Sequence, residues 1–202
     1  MTMPAETHTI PEEDRLRADL YDFLGALLAR PPSNELLAQC AALQGDEETE
    51  MGRAISALAR TAKAVNAKAV ESEFNALFIG LGRGELLPYA SYYLTGFLNE
   101  KPLAVLRNDM AALRITRAEN VFEPEDNIAS LHEMMAGMIM GRFAVPETLE
   151  SQKRFYSKHL GPWAKHFFTD LEGAKNSVFY AAVGAVGRIF TEIEADAFRM
   201  TS

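Results

Sequence analysis

"NIASLHEMMAGMIMG", residues 127–141, is where the chain commits to its fold. Ile128, Leu131, Met134, Met135, Met138 and Ile139 recur at the three-to-four-residue step of an α-helix, and Gly141 closes the run. Met140 falls off this stripe and is expected at the edge of the core. Just ahead lies "FEPED", residues 122–126. Pro124 suits a first helical turn, and Glu123, Glu125 and Asp126 there would complement the positive end of the helix dipole. Three acids are more than a helix start requires.

The same periodicity fills most of the chain. Leu16, Leu20, Phe23, Leu24, Leu27 and Leu28 share one face; Thr9 and Glu12 have the spacing of a capping box, and Pro31-Pro32 stops the helix. Ser33 is expected to cap a short helix through Leu36, Leu37, Cys40 and Leu43, closed by Gly45. Met51, Ile55, Leu58 and Ala62 make the next stripe; Val70, Phe74, Leu77 and Phe78 come after it. "IGLGRGELLPYAS", residues 79–91, reads as a loop because glycine and proline punctuate it.

Helical spacing resumes with Tyr93, Phe97 and Leu98, and Pro102 opens a helix carrying Leu103, Leu106, Met110 and Leu113. Residues 114–123 form a connector. Beyond the 127–141 helix, Pro146 starts a helix with Leu149, Gln152, Phe155, Tyr156 and Leu160, and Pro162 another with Trp163, Phe167 and Leu171. The last runs from about Ser177, with Phe179, Val183, Val186, Phe190 and Ile193 inward. No hairpin signal, internal repeat or low-complexity tract interrupts this. The expected fold is all-α: a single-domain bundle of nine to ten helices over 11–199, after a flexible N-terminus at 1–10.

Composition narrows the function. The 202 residues can bury a sizeable core, and a 48% hydrophobic share is that of a soluble globular protein. A formal charge of −8 repels phosphate backbones, which argues against nucleic acid and favours a basic peptide or protein surface. The single cysteine, Cys40, excludes an internal disulfide and suits a reducing compartment. Neither a secretory leader nor an apolar run long enough to span a bilayer is visible, so the expected location is the cytoplasm, without membrane insertion.

Catalytic chemistry finds little support. None of His8, His132, His159 and His166 has a glutamate three residues before it, as a di-iron bundle would require. "HEMMA", from His132, lacks the second histidine of a zinc-protease helix. "GLGRG", residues 80–84, follows no strand and precedes no Lys-Ser pair, so it reads first as a turn; a nucleotide switch or enzyme using the Gly80–Gly84 loop as a phosphate site is the alternative. Ser91 stands in "YASYY", not in a nucleophile elbow, and is expected to cap the next helix. No cofactor and no metal are expected. A structural subunit of a helical assembly is a third reading.

Two stretches carry a resemblance. "EFNALFIGLGRGELLPYASYYLTG", residues 73–96, resembles the Tyr/Phe-x-x-Leu-Phe-x-Gly…Pro-x-x-Ser-x-Tyr pattern of the TorD/DmsD/NarJ-type redox-enzyme maturation chaperones, and "FEPEDNIASL" resembles their Glu-Pro-x-Asp-His signature. "RFYSKHLGPWAKHFFTDL", residues 154–171, is similar to their aromatic-rich C-terminal region. The resemblance implies an all-helical, non-catalytic chaperone. It would bind the N-terminal, twin-arginine signal region of a molybdopterin-containing oxidoreductase catalytic subunit and keep the apoenzyme competent for cofactor insertion. The client would be of the formate dehydrogenase, dimethyl sulfoxide or trimethylamine N-oxide reductase, or nitrate reductase type.

Carried over residue by residue, the resemblance matches Glu123, Pro124 and Asp126 to the signature and Gly80, Pro88, Ser91 and Tyr92 to the upstream loop; Glu125, Asn127 and Tyr89, beside them, complete the expected client site. Asn127 departs from the histidine usual there; it can hydrogen-bond but cannot carry charge. A receptor for arginine followed by an apolar segment needs carboxylates for the guanidinium and an apolar groove for the rest. Glu123 and Asp126 are expected to make contact, with Glu125 contributing field, and Tyr92 and Trp163 are expected to pack. The connector at 114–123 would act as a hinge, giving a monomer or a domain-swapped dimer.

Overall fold

A computed structural model describes residues 9–119 and 121–200 of the chain. The flexible N-terminus expected over 1–10, apart from Thr9 and Ile10, lies outside the described residues, as do His8 and, within the connector, Asn120. Helices cover 68% of the described residues. In chain order they are α1 (Glu12–Ala29), α2 (Asn34–Ala42), α3 (Glu50–Ala64), α4 (Ala67–Phe74), a π-helical turn (Asn75–Ile79), α5 (Ala90–Thr95), α6 (Lys101–Ala112), α7 (Ile128–Met140), α8 (Leu149–His159), α9 (Ala164–Gly173) and α10 (Phe179–Met200). An isolated bridge between Tyr89 and Asn127 is the extended pairing among the described residues.

The methionine-rich helix α7 is the axis. Ile128, Leu131, Met135, Ala136 and Met138 are at most 3% exposed, and even His132 is buried, so α7 is apolar on nearly every side. Met140 is half-buried, as its position off the stripe predicts. Helix α1 lies along α7; α10 packs against α9 and α3, and α3 against α2. At the α9–α10 contact, a β-carbon on Gly184 would sit 2.9 Å from the Phe168 carbonyl oxygen, so only glycine permits that approach without displacement.

The inward faces differ from the sequence expectation in instructive places. Leu16 is 63% and Ile193 48% exposed, because their neighbours Arg17 and Glu194 point inward instead. The Arg17 guanidinium grips both Glu194 carboxylate oxygens at 2.8 and 2.9 Å and also reaches Asp14 and Gln152, while the Tyr21 hydroxyl donates to Glu194 at 3.0 Å. This network ties α1 to α8 and α10. Phe97 (70%) and Leu98 (41%) are exposed because α5 ends at Thr95 and Gly96 turns the chain left-handed.

Caps divide in the same way. Ser33 caps α2 by accepting the Leu36 amide, as expected. Gly45 does not close α2, whose C-cap is Leu43. No capping box forms at α1, whose N-cap is Pro11 without a side-chain bond. Thr148, not Pro146, begins α8, because a threonine hydroxyl can accept the Ser151 amide and a proline ring cannot. Trp163 is 1% exposed, as expected of a packing residue, and its indole N–H donates to the His159 carbonyl at 2.7 Å.

Candidate functional site

The loop after the π-turn and the acidic stretch before α7 meet backbone to backbone. The Ala90 amide donates to the Asp126 carbonyl at 2.9 Å, and the Ile128 amide to the Pro88 carbonyl at 2.8 Å. Asp126 Oδ2 accepts the Ser91 amide at 2.7 Å and the Ser91 hydroxyl as well. A carboxylate from the far segment therefore caps α5, whose own N-cap residue, Tyr89, makes no side-chain capping bond. Ser91 lies inside α5 and is held by Asp126; it does not cap that helix.

This geometry revises the acidic stretch. Asn127 is the N-cap of α7, accepting the Ala129 amide at 2.9 Å, so Glu123 to Asp126 precede the helix and share no helical face. Pro124 is not in the first turn. Asp126 is 1% exposed, with its second oxygen buried and unpaired, so it is placed to hold the two segments together rather than to meet a solvent-borne guanidinium. Asparagine at 127 makes physical sense as a cap, for it outranks most side chains there.

Glu125 is buried between Arg107 of α6, at 2.8 and 3.1 Å, and Arg117 of the connector, at 3.7 Å. Burial alone would raise its carboxyl, but the bonds from Arg107 and the Arg117 charge bring it below the usual range. Glu123 is exposed and accepts from the Tyr89 hydroxyl. Burial, then the Glu123 bond and charge, push the Tyr89 phenol up. Tyr92 is only half-buried: Arg83 donates to its hydroxyl at 2.6 Å and lies 5.1 Å above its ring, so Tyr92 is not a core residue.

The Gly80–Gly84 loop is a turn. Gly80 (φ 62°) and Gly82 (φ 94°) take left-handed conformations, and a β-carbon on Gly80 would collide with the Arg83 carbonyl. The amides of Gly80, Glu85 and Leu86 bond to the carbonyls of Asn75, Ala76 and Leu77, and the loop leads into non-helical residues, not into a helix N-terminus. Two nearby acids also cap at a distance. Glu73 accepts the amides of Val178, Phe179 and Tyr180 at the start of α10, and Glu85 those of Lys175 and Asn176.

Above the joined segments lie two adjoining hollows of about 580 and 350 Å3. Both are lined by Val121, Glu123, Ser130 and Glu133. The larger has an apolar wall that includes Leu28, Pro31, Phe74, Phe78 and Ile79, and it reaches Tyr89 and Asn127. Ile79 is 58% exposed, and Phe122, next to Val121, is 86% exposed. Glu133 is absent from the residues that the motifs pick out; the signal for it is the three-residue step Asn127, Ser130, Glu133 opposite the methionine stripe. A hollow of about 940 Å3 beside α8 and α10 contains none of the candidate client-site residues, although Tyr156, Ser157, Gly161, Pro162 and Lys165 of the 154–171 stretch line it. Among the described residues no cluster of His, Cys, Asp and Glu could hold a metal ion, and no helix is long and apolar enough to cross a membrane.

Comparison with known proteins supplies an independent line. The family model described as nitrate reductase delta subunit matches residues 44–169. Chaperone protein TorD of Vibrio atlanticus (strain LGP32) is 26% identical over 198 residues, covering 88% of this chain and 92% of the relative. TorD of Aliivibrio fischeri (strain ATCC 700601 / ES114) is 27% identical over 200 residues, covering 89% and 92%. Among solved structures, a protein from Archaeoglobus fulgidus described as a redox enzyme maturation protein superposes with a TM-score of 0.56 at 21% identity, over 94% of this chain and 99% of that one. That last likeness concerns the fold.

Proposed function

This chain belongs to the nitrate reductase delta subunit family, and from that premise we propose how it works as a chaperone. It is a TorD-type maturation chaperone, not an enzyme. Its client is a molybdopterin oxidoreductase catalytic subunit, bound in the cytoplasm through the basic and apolar N-terminal region, of which a twin-arginine signal is the expected form. Holding that region keeps the apoenzyme competent for cofactor insertion before assembly or export.

The observation that carries this reading is the groove over the joined segments. An exposed carboxylate, Glu123, stands at the meeting point of two hollows whose walls include Phe74, Phe78, Ile79 and Val121. An arginine followed by apolar residues presents the complementary order of chemistry. Glu123, Pro124, Tyr89 and Tyr92 are proposed to touch the client. Asn127 lines the larger hollow, the Ser91–Asp126 bond braces the joined segments, and Glu125 fixes the edge of the smaller through Arg107 and Arg117.

Calorimetric titration of a client N-terminal peptide into the full chain tests this. Saturable binding that weakens on Glu123→Gln is expected. No binding by a folded protein rejects the groove as the client site.

A further inference from the structure

One carboxylate in the groove has no hydrogen-bonded or ion-paired partner among the described residues. Asp22 is engaged by Arg142, Glu125 by Arg107 and Arg117, and Glu123 by the Tyr89 hydroxyl. Glu133 is exposed, faces both hollows, and makes no hydrogen bond or ion pair among the described residues. Arg30, which also lines the larger hollow, makes no bond to it and acts on it only through its charge. The helix α1 comes close beneath Glu133 at Gly25, where a β-carbon would lie 3.4 Å from Glu133 Cγ. That contact directs the methylene stem along the α1 surface. Partial burial of the carboxyl and then the Asp22 charge raise Glu133 above its ordinary range, against the opposing charges of Arg142 and Arg30.

We propose that Glu133 is the second carboxylate of the client site, receiving one guanidinium of a diarginine segment while Glu123 receives the other. This rests on the reading of the groove as the client site. Charge complementarity argues for it: Glu123 and Glu133 share the rim between the hollows, and a guanidinium can pair with a carboxylate through two parallel N–H bonds. Lysine would supply charge without that fork. Ser130, one turn before Glu133 on the same face, adds a hydroxyl to the lining of both hollows.

The test uses the full chain and a synthetic peptide carrying two arginines ahead of a leucine- and alanine-rich stretch, with counterparts in which either or both arginines are glutamine. The wild type should bind the diarginine peptide about tenfold more tightly than a counterpart lacking one arginine. Glu133→Gln should bind the diarginine peptide about tenfold more weakly and should no longer discriminate at one of the two arginine positions. Glu133→Asp should recover part of the loss, and Glu150→Gln, an exposed acid on α8, should bind like the wild type. If a folded Glu133→Gln keeps wild-type affinity and discriminates at both positions, this inference fails while the groove reading stands. If the wild type itself binds the diarginine and diglutamine peptides alike, both fall.

Discussion

Asp126 and His132 are buried polar groups of opposite habit, and each carries a measurable consequence. Asp126 holds a charge-capable acceptor inside the protein because the α5 amide and the Ser91 hydroxyl compensate it. Removing it orphans both donors, so Asp126→Ala should cost about 1–3 kcal/mol in urea unfolding. Asp126→Asn keeps an acceptor and should cost less; equal losses for the two would mean that the bond to Ser91 contributes nothing. His132 is buried without a charged partner, its ring nitrogen Nδ1 bonded to the Ile128 carbonyl at 2.8 Å, and burial pushes its pKa down to about 4. The folded state therefore resists protonation that the unfolded chain accepts near its ordinary value of about 6.5. Stability is full above that value and falls as pH drops toward about 4, by roughly 3 kcal/mol for this group. His159, also lowered by burial although Asp109 opposes the shift, adds in the same direction. Denaturant midpoints at about pH 7 and about pH 5 should differ for the wild type and differ less for His132→Gln. An unchanged pH slope in that variant would remove His132 as the cause.

Helix ends, more than helix faces, separate what is legible in the sequence from what is not. Glu73 accepts three amides at the start of α10, from a residue more than a hundred positions earlier in the chain. Glu73→Ala should lower stability by about 1–3 kcal/mol and speed amide exchange over the first turn of α10; unchanged exchange there would make the contact incidental. The apolar faces of α2, α3, α4 and α7 and the local cap at Ser33 are readable, because periodicity and short-range bonds are written in consecutive residues. Caps supplied from a distance, Asp126 on α5 and Glu73 on α10, are not. Each of those acids looks like a solvated or client-binding charge until the fold delivers its partner. The misassigned faces at Leu16 and Ile193 share one origin. A pattern of apolar residues cannot show that Arg17 and Glu194, on different helices, will neutralise each other and point inward. The site is half legible. The two motif stretches carry one resemblance and the structure joins them, but the split of labour within "EPEDN" and the role of Glu133 depend on which acids find internal partners.

Over the whole molecule, a charge of −8 and an acidic groove rim predict that client binding weakens as salt is raised, since exposed pairs are screened within about 10 Å at 0.1 M salt. Residues 114–123 join the α5–α6 part to helices α7 to α10, and we infer that they can open into a domain-swapped dimer. Two kinds of contact hold this segment. Arg107 on Glu125 bridges α6 to the far side of the connector, so a swapped partner would remake it between chains. Arg117 also reaches Glu125, but its donation to the Val121 carbonyl lies inside the connector and exists only while the segment stays folded back. The two arginines should therefore behave differently. Arg107→Ala should lower the stability of monomer and dimer alike and leave their ratio near the wild-type value. Arg117→Ala should shift the balance toward the dimer by about two- to fivefold per chain, the worth of roughly 0.5–1 kcal/mol for an exposed bond. Size-exclusion chromatography with light scattering, after equilibration at high protein concentration, reads the ratio. A shift on Arg107→Ala with none on Arg117→Ala would place the hinge outside residues 114–123.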